Sequence, residues 1–279
     1  MKIKLAKSSG FCLGVKRALL ITRRVSTQDN NVYMLGDIVH NEDVVREIKK
    51  AGIKKLKKLT KGENRTLLIR AHGAAVKTFE KARQLGYKVV DATCPMVKEI
   101  HQIARDMERK GYKIIVIGDR KHDEVQAISG QLKNRAIVID SRKDIPFKTI
   151  KRLRKAAVVV QSTQNIEKIS EIVRALRRRI KELKFFNTIC WPTRKKQQEL
   201  KAMSLVNDAM IIIGSKTSAN TRRLYEISKS LNKRSYWVQS KKEVRPAWFK
   251  DINSVGIAAG ASTPDATTKE VINQIRKYP

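Results

Sequence analysis

Short, nearly unbroken apolar runs alternate along the chain with segments of helical periodicity. The runs at 112–117, 156–160 and 209–213 lack the strict apolar–polar alternation of a strand that has one wet face. They therefore predict strands buried on both faces. Each run is followed by a polar loop and then by a segment of helical periodicity, such as 221–231 after the run at 209–213, which predicts a helix. This order favours parallel sheets covered by helices, and hence an α/β fold.

One arrangement, a strand that leads through a loop to a cysteine and then to a helix, recurs along the chain. It places Cys12, Cys94 and Cys190 in equivalent positions. The chain stops where a further strand would be due, and the strand predicted at 2–7 has the form of that missing strand. We therefore predict three α/β units related by a pseudo-threefold axis around a central site. The predicted units are residues 11–94, residues 95–190, and residues 191–279 completed by residues 1–10.

The middle of the chain contains two predicted elements and the least regular stretch of the sequence. The periodicity predicts a long helix over 166–183 and a strand over 185–189 that ends beside Cys190. Residues 140–155 fit neither the helical nor the strand period, so we expect a loop there.

The charge balance is strongly basic. The 279 residues include 61 Lys and Arg against 26 Asp and Glu, which gives a formal net charge of +35. A nucleic-acid-binding protein with incidental cysteines would explain this charge, and it stays open as the alternative function. The basic residues are nonetheless dispersed, and aromatic residues make up only 5% of the chain without a base-stacking pattern. We therefore favour basic residues spread over solvated helix faces, where they would also attract an anionic substrate or an acidic partner.

The sequence has no feature that directs it into or across a membrane. No apolar run approaches the length of a transmembrane helix, and residues 1–6 are too short and too charged for a signal peptide. We therefore expect a cytoplasmic protein. The three cysteines are odd in number and widely spaced, which argues against a disulfide framework in a reducing compartment.

The cysteines are the first candidates for chemistry. Cys94 lies at the predicted start of a helix whose first residue is Pro95, so the helix dipole favours the thiolate form of Cys94. Three converging thiolates can bind zinc or three irons of an iron–sulfur cluster. The short Cys-x-x-Cys hairpins of structural zinc sites are absent from the sequence, which favours a cubane cluster with one iron open to substrate. Three unrelated buried cysteines are the simpler alternative.

Polar loops follow the other predicted strands, at the sheet edge where parallel sheets bind ligands. Three of the four histidines, His40, His72 and His122, lie in such loops, whereas His101 lies within a helix and is expected to be structural. Together with Ser and Asn side chains and helix N-termini, these donors suit a phosphate or a diphosphate. Glu124 has two interpretations: it supplies a proton to a leaving hydroxide in a closed cavity, or it balances the dipole at the start of a helix.

A series of short motifs resembles one enzyme family. The motifs are Gly10-Phe11-Cys12-x-Gly14-Val15, Val39-His40-Asn41, Ala71-His72-Gly73, Asp91-Ala92-Thr93-Cys94-Pro95, His122-x-Glu124-Val125, Thr188-Ile189-Cys190, Gly214-Ser215-Lys216-x-Ser218-x-Asn220 and Gly260-Ala261-Ser262-x-Pro264-Asp265. In this order they are similar to the 4-hydroxy-3-methylbut-2-enyl diphosphate reductases, which catalyse the last step of the methylerythritol phosphate route to isoprenoids. The match extends from Lys2 to Asp265.

The resemblance implies a cloverleaf of three α/β units around one [4Fe-4S] cluster per chain, bound by Cys12, Cys94 and Cys190. It also implies reduction of an allylic alcohol diphosphate to isopentenyl and dimethylallyl diphosphate with two electrons and protons, the protons coming from Glu124. The implied substrate-binding residues are His40, His72, His122, Ser162, Ser218, Asn220 and Ser262. A ferredoxin or a flavodoxin would donate the electrons, and we expect the chain to act as a monomer.

The chain departs from the family pattern at several positions. Ser162 stands where threonine is usual, and we expect its hydroxyl to replace that of the threonine. Ala219 stands where serine is frequent, Asp123 where proline is common, and Lys196 where arginine is frequent. The sequence ends at Pro279, without the C-terminal tail that many members carry and that helps to close the site in some of them.

Overall fold

The computed structural model describes residues 1–278, and Pro279, the end of the predicted third unit, lies outside the described residues. The strands are β1 (Lys2–Leu5), β2 (Val32–Leu35), β3 (Lys54–Leu56), β4 (Thr66–Ile69), β5 (Lys88–Asp91), β6 (Lys113–Ile117), β7 (Ile137–Ile139), β8 (Lys155–Val160), β9 (Glu182–Phe185), β10 (Ala209–Ile213), β11 (Ser235–Val238) and β12 (Ser254–Ala259). The helices are α1 (Leu13–Gln28), α2 (Glu42–Lys50), α3 (Val76–Gln84), α4 (Pro95–Arg109), α5 (Asp123–Ser129), α6 (Phe147–Ile150), α7 (Ile166–Arg177), α8 (Trp191–Val206), α9 (Ala219–Leu231) and α10 (Asp265–Ile275). Short 3₁₀ turns lie at Arg142–Asp144, Lys241–Glu243 and Pro246–Phe249.

The chain forms two compact units. The first compact unit consists of Met1–Lys16, Val39–Glu47 and the chain from Trp191 onward, and the second consists of Arg17–Ile38 and Ile48–Cys190. The first contains one four-stranded sheet, in the order β1-β12-β10-β11, and the second contains two, β3-β2-β4-β5 and β7-β6-β8-β9. All of these pairings are parallel. The predicted fold class, an α/β protein built from parallel sheets with flanking helices, is therefore confirmed.

The N-terminal strand completes the sheet of the first compact unit. β1 pairs with β12, with Lys2 opposite Ser254 and Leu5 opposite Ile257. The start of the chain therefore pairs with a strand of its C-terminal third. β1 lies at an edge of the sheet, and its exposed lysines, Lys2 and Lys4, discourage that edge from pairing with another chain.

Alternate residues of the central strands pack on opposite faces of each sheet. In β10, Ala209, Ile211 and Ile213 join an apolar cluster on one face, and Met210 and Ile212 join a cluster on the other. All of these side chains are fully buried, and burying one isoleucine stabilises the fold by about 1.5–3 kcal/mol. Because both faces are covered, a central strand needs no polar alternation, and the sequence shows an unbroken apolar run.

The structure corrects the prediction for 166–189. α7 ends at Arg177, because the Leu176 carbonyl accepts backbone hydrogen bonds that close its last turn. β9 begins before the strand predicted over 185–189 and ends at Phe185. Leu183 and Phe185 pack against a core cluster, while the residues that alternate with them are exposed. This period of two marks a strand, but a short apolar run fits both periods, so the sequence pattern did not place the boundary.

Two further segments differ from the expectations. The loop expected at 140–155 contains α6 and one of the 3₁₀ turns. Ile145 and Ile150 are buried in the apolar core, so this segment packs against the core and does not extend into solvent. β3 was not predicted. Its sequence, Lys-Lys-Leu, carries no apolar run because β3 lies at the edge of its sheet, where the lysines reach solvent.

Membrane insertion was not expected from the sequence. Over residues 1–278, none of the helices combines the length and the apolar composition that spanning a bilayer requires.

Candidate active site

The three cysteines occupy the same position relative to their sheets. Each follows an edge strand, which is β1, β5 or β9, and directly precedes a helix, which is α1, α4 or α8. Cys94 is the N-cap of α4 and Pro95 is its first residue, as the sequence predicts. All three cysteines are partly exposed, and among the described residues none of them forms a disulfide.

One backbone hydrogen bond is repeated at all three cysteines. The cysteine N–H donates to a carbonyl in the loop that follows the neighbouring strand of the same sheet, which is β12, β4 or β8. The bonds, as donor and acceptor, are Cys12 to Ala261 (3.1 Å), Cys94 to Ala71 (2.9 Å) and Cys190 to Ser162 (3.0 Å). This contact holds each cysteine at the carboxyl end of its own sheet, where parallel sheets bind their ligands.

Glu124, near the start of α5, is a buried acid. The residue is 1% exposed. Its two carboxylate oxygens accept hydrogen bonds from the backbone N–H (2.6 Å) and the hydroxyl (2.8 Å) of Ser162. Burial raises the pKa of Glu124 to about 7, although the hydrogen bonds from Ser162 lower it. Near neutral pH this carboxyl populates both its protonated and its ionised form, as a general acid requires.

Two predicted histidines lie beside this acid in the second compact unit. His122 is the N-cap of α5, and its Nδ1 accepts the backbone N–H of Glu124 (3.1 Å). Because Nδ1 is an acceptor, the neutral ring carries its proton on Nε2 and can donate it to a ligand. The rings of His72 and His122 meet edge to face, with their centres 5.4 Å apart and their planes at 85°. His72, His122, Glu124 and Ser162 therefore lie together.

A second group of predicted site residues lies in the first compact unit. The Ser262 hydroxyl donates to the carbonyl of His40 (3.0 Å). Asn220 accepts the backbone N–H of Ala261 at its Oδ1 (3.0 Å). The Ser218 side chain caps α9 by accepting a backbone N–H (3.2 Å). Asn220 and Ser262 are thus held at the loop after β12, and Ser218 is held at the start of α9.

Asn220 keeps a donor without a partner. The residue is 4% exposed, and within residues 1–278 its buried Nδ2 has no hydrogen-bond acceptor. A buried donor that stays unsatisfied costs about 1–3 kcal/mol. Because the Oδ1 bond to Ala261 fixes the amide, and the Ala261 carbonyl accepts the N–H of Cys12, this donor lies beside the cysteine loop. An anionic ligand oxygen is a suitable acceptor for it.

Lys196, which the sequence marks only as a departure from the family, is buried beside Cys12. The residue is 5% exposed. Its ammonium donates to the carbonyls of Ser8, Gly10 (3.0 Å) and Ala259 (3.4 Å). Burial lowers the pKa of Lys196 to about 8, and nearby acidic groups oppose this effect. No sequence pattern indicates this role, because the partners are backbone carbonyls of distant segments.

Comparisons with known sequences agree with the resemblance. The family model described as "LytB protein" matches residues 3–276. The 4-hydroxy-3-methylbut-2-enyl diphosphate reductase of Geobacter metallireducens is 37% identical over 277 residues, which cover 99% of this chain and 98% of that protein. The reductase of the same name from Aquifex aeolicus is 39% identical over 279 residues, which cover 99% of this chain and 96% of that protein.

Solved structures extend the comparison to the fold. The structure of an (E)-4-hydroxy-3-methyl-but-2-enyl diphosphate reductase, described as the terminal enzyme of the non-mevalonate pathway, matches with a TM-score of 0.73 at 38% identity and covers 99% of this chain and 100% of that chain. The E-1-hydroxy-2-methyl-but-2-enyl-4-diphosphate reductase from Plasmodium falciparum shares the fold, with a TM-score of 0.90 at 24% identity over 98% of this chain and 87% of that chain. These matches give no support to the nucleic-acid-binding alternative. The match of the family model, together with relatives aligned over nearly their whole length, shows that the chain belongs to the LytB protein family.

Proposed function

We propose that the chain is a 4-hydroxy-3-methylbut-2-enyl diphosphate reductase, an oxidoreductase that forms isopentenyl and dimethylallyl diphosphate. The reaction consumes two electrons and two protons. The allylic C–O bond breaks, a C–H bond forms, and the hydroxyl leaves as water. Relatives aligned over the whole chain are named for this substrate. The structural observation that carries the proposal is Glu124, an acid that is 1% exposed and whose two carboxylate oxygens accept the N–H and the hydroxyl of Ser162.

Enzymes of the LytB family are iron–sulfur proteins, and this chain offers cysteine thiols for such a group. We assign Cys12, Cys94 and Cys190 as ligands of one [4Fe-4S] cluster per chain. The donor set fits, because these are partly exposed cysteines outside any disulfide of the described chain, with matching backbone contacts at the carboxyl ends of parallel sheets. When bound, such a cluster supplies electrons singly and offers an iron without a cysteine ligand as a Lewis acid.

Glu124 holds and delivers the proton. Hydroxide is a poor leaving group, and a carboxylic acid beside it allows water to leave instead. The Ser162 hydroxyl serves both protonation states, since a hydroxyl donates to a carboxylate and accepts from a carboxyl O–H. After proton transfer, the backbone N–H and the hydroxyl of Ser162 stabilise the ionised Glu124. A second proton can enter the same acid for the next transfer.

Hydroxyl, amide and imidazole side chains bind the diphosphate. Hydroxyl, amide and imidazole groups hydrogen-bond phosphate oxygens without forming a covalent bond to them. The assigned residues are His40, His72, Ser218, Asn220 and Ser262, with His122 and Ser162 placed at the rest of the substrate. The Nδ2 donor of Asn220, buried and without an acceptor in the described chain, supports this assignment.

The test combines cluster analysis with turnover. Protein reconstituted anaerobically with iron and sulfide should contain about four of each per chain and absorb broadly near about 400 nm. It should then reduce the allylic diphosphate with reduced methyl viologen as the electron source. Colourless, iron-free protein after reconstitution would contradict the cluster, and a brown protein without turnover would contradict the reductase.

The remaining proposals concern the chain as a whole. We propose that it works as a cytoplasmic monomer that receives electrons from a ferredoxin or a flavodoxin. We also propose that residues 11–94, residues 95–190, and residues 191–279 completed by residues 1–10 are three structural repeats. Each repeat contains one of the parallel sheets, and the second compact unit joins the sheets of the first two.

A further inference from the structure

A cavity of about 220 Å³ opens beside Cys12 in the first compact unit. Its lining combines the predicted cluster ligand with apolar and basic side chains. The lining includes Cys12, the apolar side chains of Leu13 and Trp191, and the basic side chains of Lys7, Lys16 and Lys195. We call Lys7, Leu13, Lys16, Trp191 and Lys195 the Cys12 surface.

Two side chains of the Cys12 surface are apolar and exposed. Leu13 is 66% exposed and Trp191 is 58% exposed, which is unusual for side chains of this size. Each follows directly after a proposed cluster ligand in the sequence, Leu13 after Cys12 and Trp191 after Cys190. Exposed apolar side chains that cluster in this way mark interaction sites, and tryptophan is enriched among the residues that dominate binding energy.

The other three side chains of the Cys12 surface, which we call its rim, are basic. Lys7, Lys16 and Lys195 are exposed, and the ammonium of Lys195 lies 5.4 Å from the centre of the Trp191 ring. Among the described residues, no Asp or Glu lines the cavity. The nearby carboxylate of Glu199 is engaged by the backbone N–H groups of Lys7 (2.6 Å) and of the next residue (2.8 Å). The surface therefore combines two exposed apolar side chains with three exposed lysines.

We propose that the Cys12 surface docks an acidic, one-electron carrier protein. The inference rests on the proposed function, because a cluster that reduces the substrate must itself be reduced again by an external electron donor. Electron transfer slows steeply with distance, so the carrier must dock against a part of the chain that touches the cluster, and the partly exposed Cys12 lies in this cavity. A basic rim steers an acidic carrier and fixes its orientation. Redox partners need only a small interface, below about 1,200 Å², so a surface of this kind is sufficient.

Binding tests the proposal without turnover. The reconstituted enzyme is titrated calorimetrically with an acidic flavodoxin whose FMN is oxidised. The double substitution Lys16→Glu/Lys195→Glu should raise the Kd at least about tenfold at low ionic strength, because it puts two like charges on the rim. The matched control is Arg174→Glu/Arg178→Glu, at an arginine-rich cavity of the second compact unit. It changes the net charge equally, and it should change the Kd less than about twofold if docking is local.

Kinetics then separate the docking proposal from the proposed function. The KM for reduced flavodoxin should rise about tenfold in Lys16→Glu/Lys195→Glu, while turnover with reduced methyl viologen and the absorbance near about 400 nm stay at wild-type levels. If the wild-type enzyme turns over with methyl viologen but the substitutions leave the flavodoxin Kd and KM unchanged, the docking proposal is wrong and the function stands. Equal effects of both double substitutions would also overturn it, because net charge alone would then explain them. If the wild-type enzyme turns over with neither reductant, the proposed function is wrong and the docking proposal falls with it.

Discussion

Removing the Ser162 hydroxyl should raise the pKa of Glu124. The substitution Ser162→Ala deletes the 2.8 Å hydrogen bond to the carboxylate and keeps the 2.6 Å bond from the backbone N–H. A hydrogen bond to a charged group stabilises it by about 1.5–3 kcal/mol, against about 0.5–1.5 kcal/mol for a bond to a neutral group. Because the hydroxyl bonds both forms of the acid, the pKa shift is set by the difference, roughly one pKa unit at about 1.4 kcal/mol per unit. The pKa of Glu124 should therefore move from about 7 to about 8.

The assay is the pH dependence of kcat at saturating substrate, with reduced methyl viologen as the electron source. In its proposed role Glu124 works in its protonated form, so kcat should fall as pH rises through its pKa. The wild-type rate should fall around pH 7, and the Ser162→Ala rate around pH 8, about one unit higher. The control is Ser162→Thr, which keeps a hydroxyl at the same position. Its profile should follow that of the wild-type enzyme.

Two results would refute this reasoning. If the profile of Ser162→Ala stays in place or moves to lower pH, the Ser162 hydroxyl does not stabilise the ionised form of Glu124. If Ser162→Thr moves as far as Ser162→Ala, the shift comes from disturbed packing and not from the lost hydroxyl. A change in KM alone would not decide the question, since Ser162 is also assigned to the substrate.

Three other substitutions test separate parts of the site. Glu124→Gln should keep the cluster absorbance but lose most turnover. It should also raise Tm more at pH 8 than at pH 5. The buried acid has a folded-state pKa of about 7 against an ordinary 4.5, so its ionisation costs the wild-type protein about 3 kcal/mol of stability as pH rises from 4.5 to 7, and glutamine removes this cost. Cys94→Ser should lower the iron and sulfide content per chain, and an intact cluster in this variant would remove Cys94 from the ligand set. Asn220→Asp keeps the acceptor for the Ala261 N–H but replaces the Nδ2 donor with a negative charge, so the Kd for the diphosphate measured by calorimetry should rise at least about tenfold. An unchanged Kd would exclude Asn220 from substrate binding.

The sequence predicted the parts of the fold that repeat a simple pattern. The apolar run of β10 has the composition of a doubly covered strand, and both of its faces are buried. Pro95 marks a helix start because its missing N–H is not needed there, and α4 begins at that residue. At the end of α7 the sequence fits both the helical period and the strand period, so the local pattern does not determine where the helix ends. There the pairing of Leu183 with a residue of β8 selects the strand.

Contacts between distant segments could not be predicted. Lys196 binds three carbonyls of other segments, and a backbone carbonyl has no sequence signature. Glu124 was singled out as an acid, but its partner Ser162 is 38 positions away. Only the fold brings the loop after β8 to the start of α5. Because the pKa of Glu124 depends on that approach, the sequence suggests the chemistry of this acid without determining it.

Ser162 joins the acid to one of the proposed cluster ligands. Its carbonyl accepts the N–H of Cys190 (3.0 Å), and its own N–H and hydroxyl both donate to Glu124. Two of these three contacts are made by the backbone, so they do not depend on the side chain. This explains how serine can replace the usual threonine here without displacing either neighbour. The loop after β8 therefore contacts both the backbone of Cys190 and the carboxylate of Glu124, the proposed proton donor, and the N–H and the hydroxyl of Ser162 both favour the ionised form of that acid.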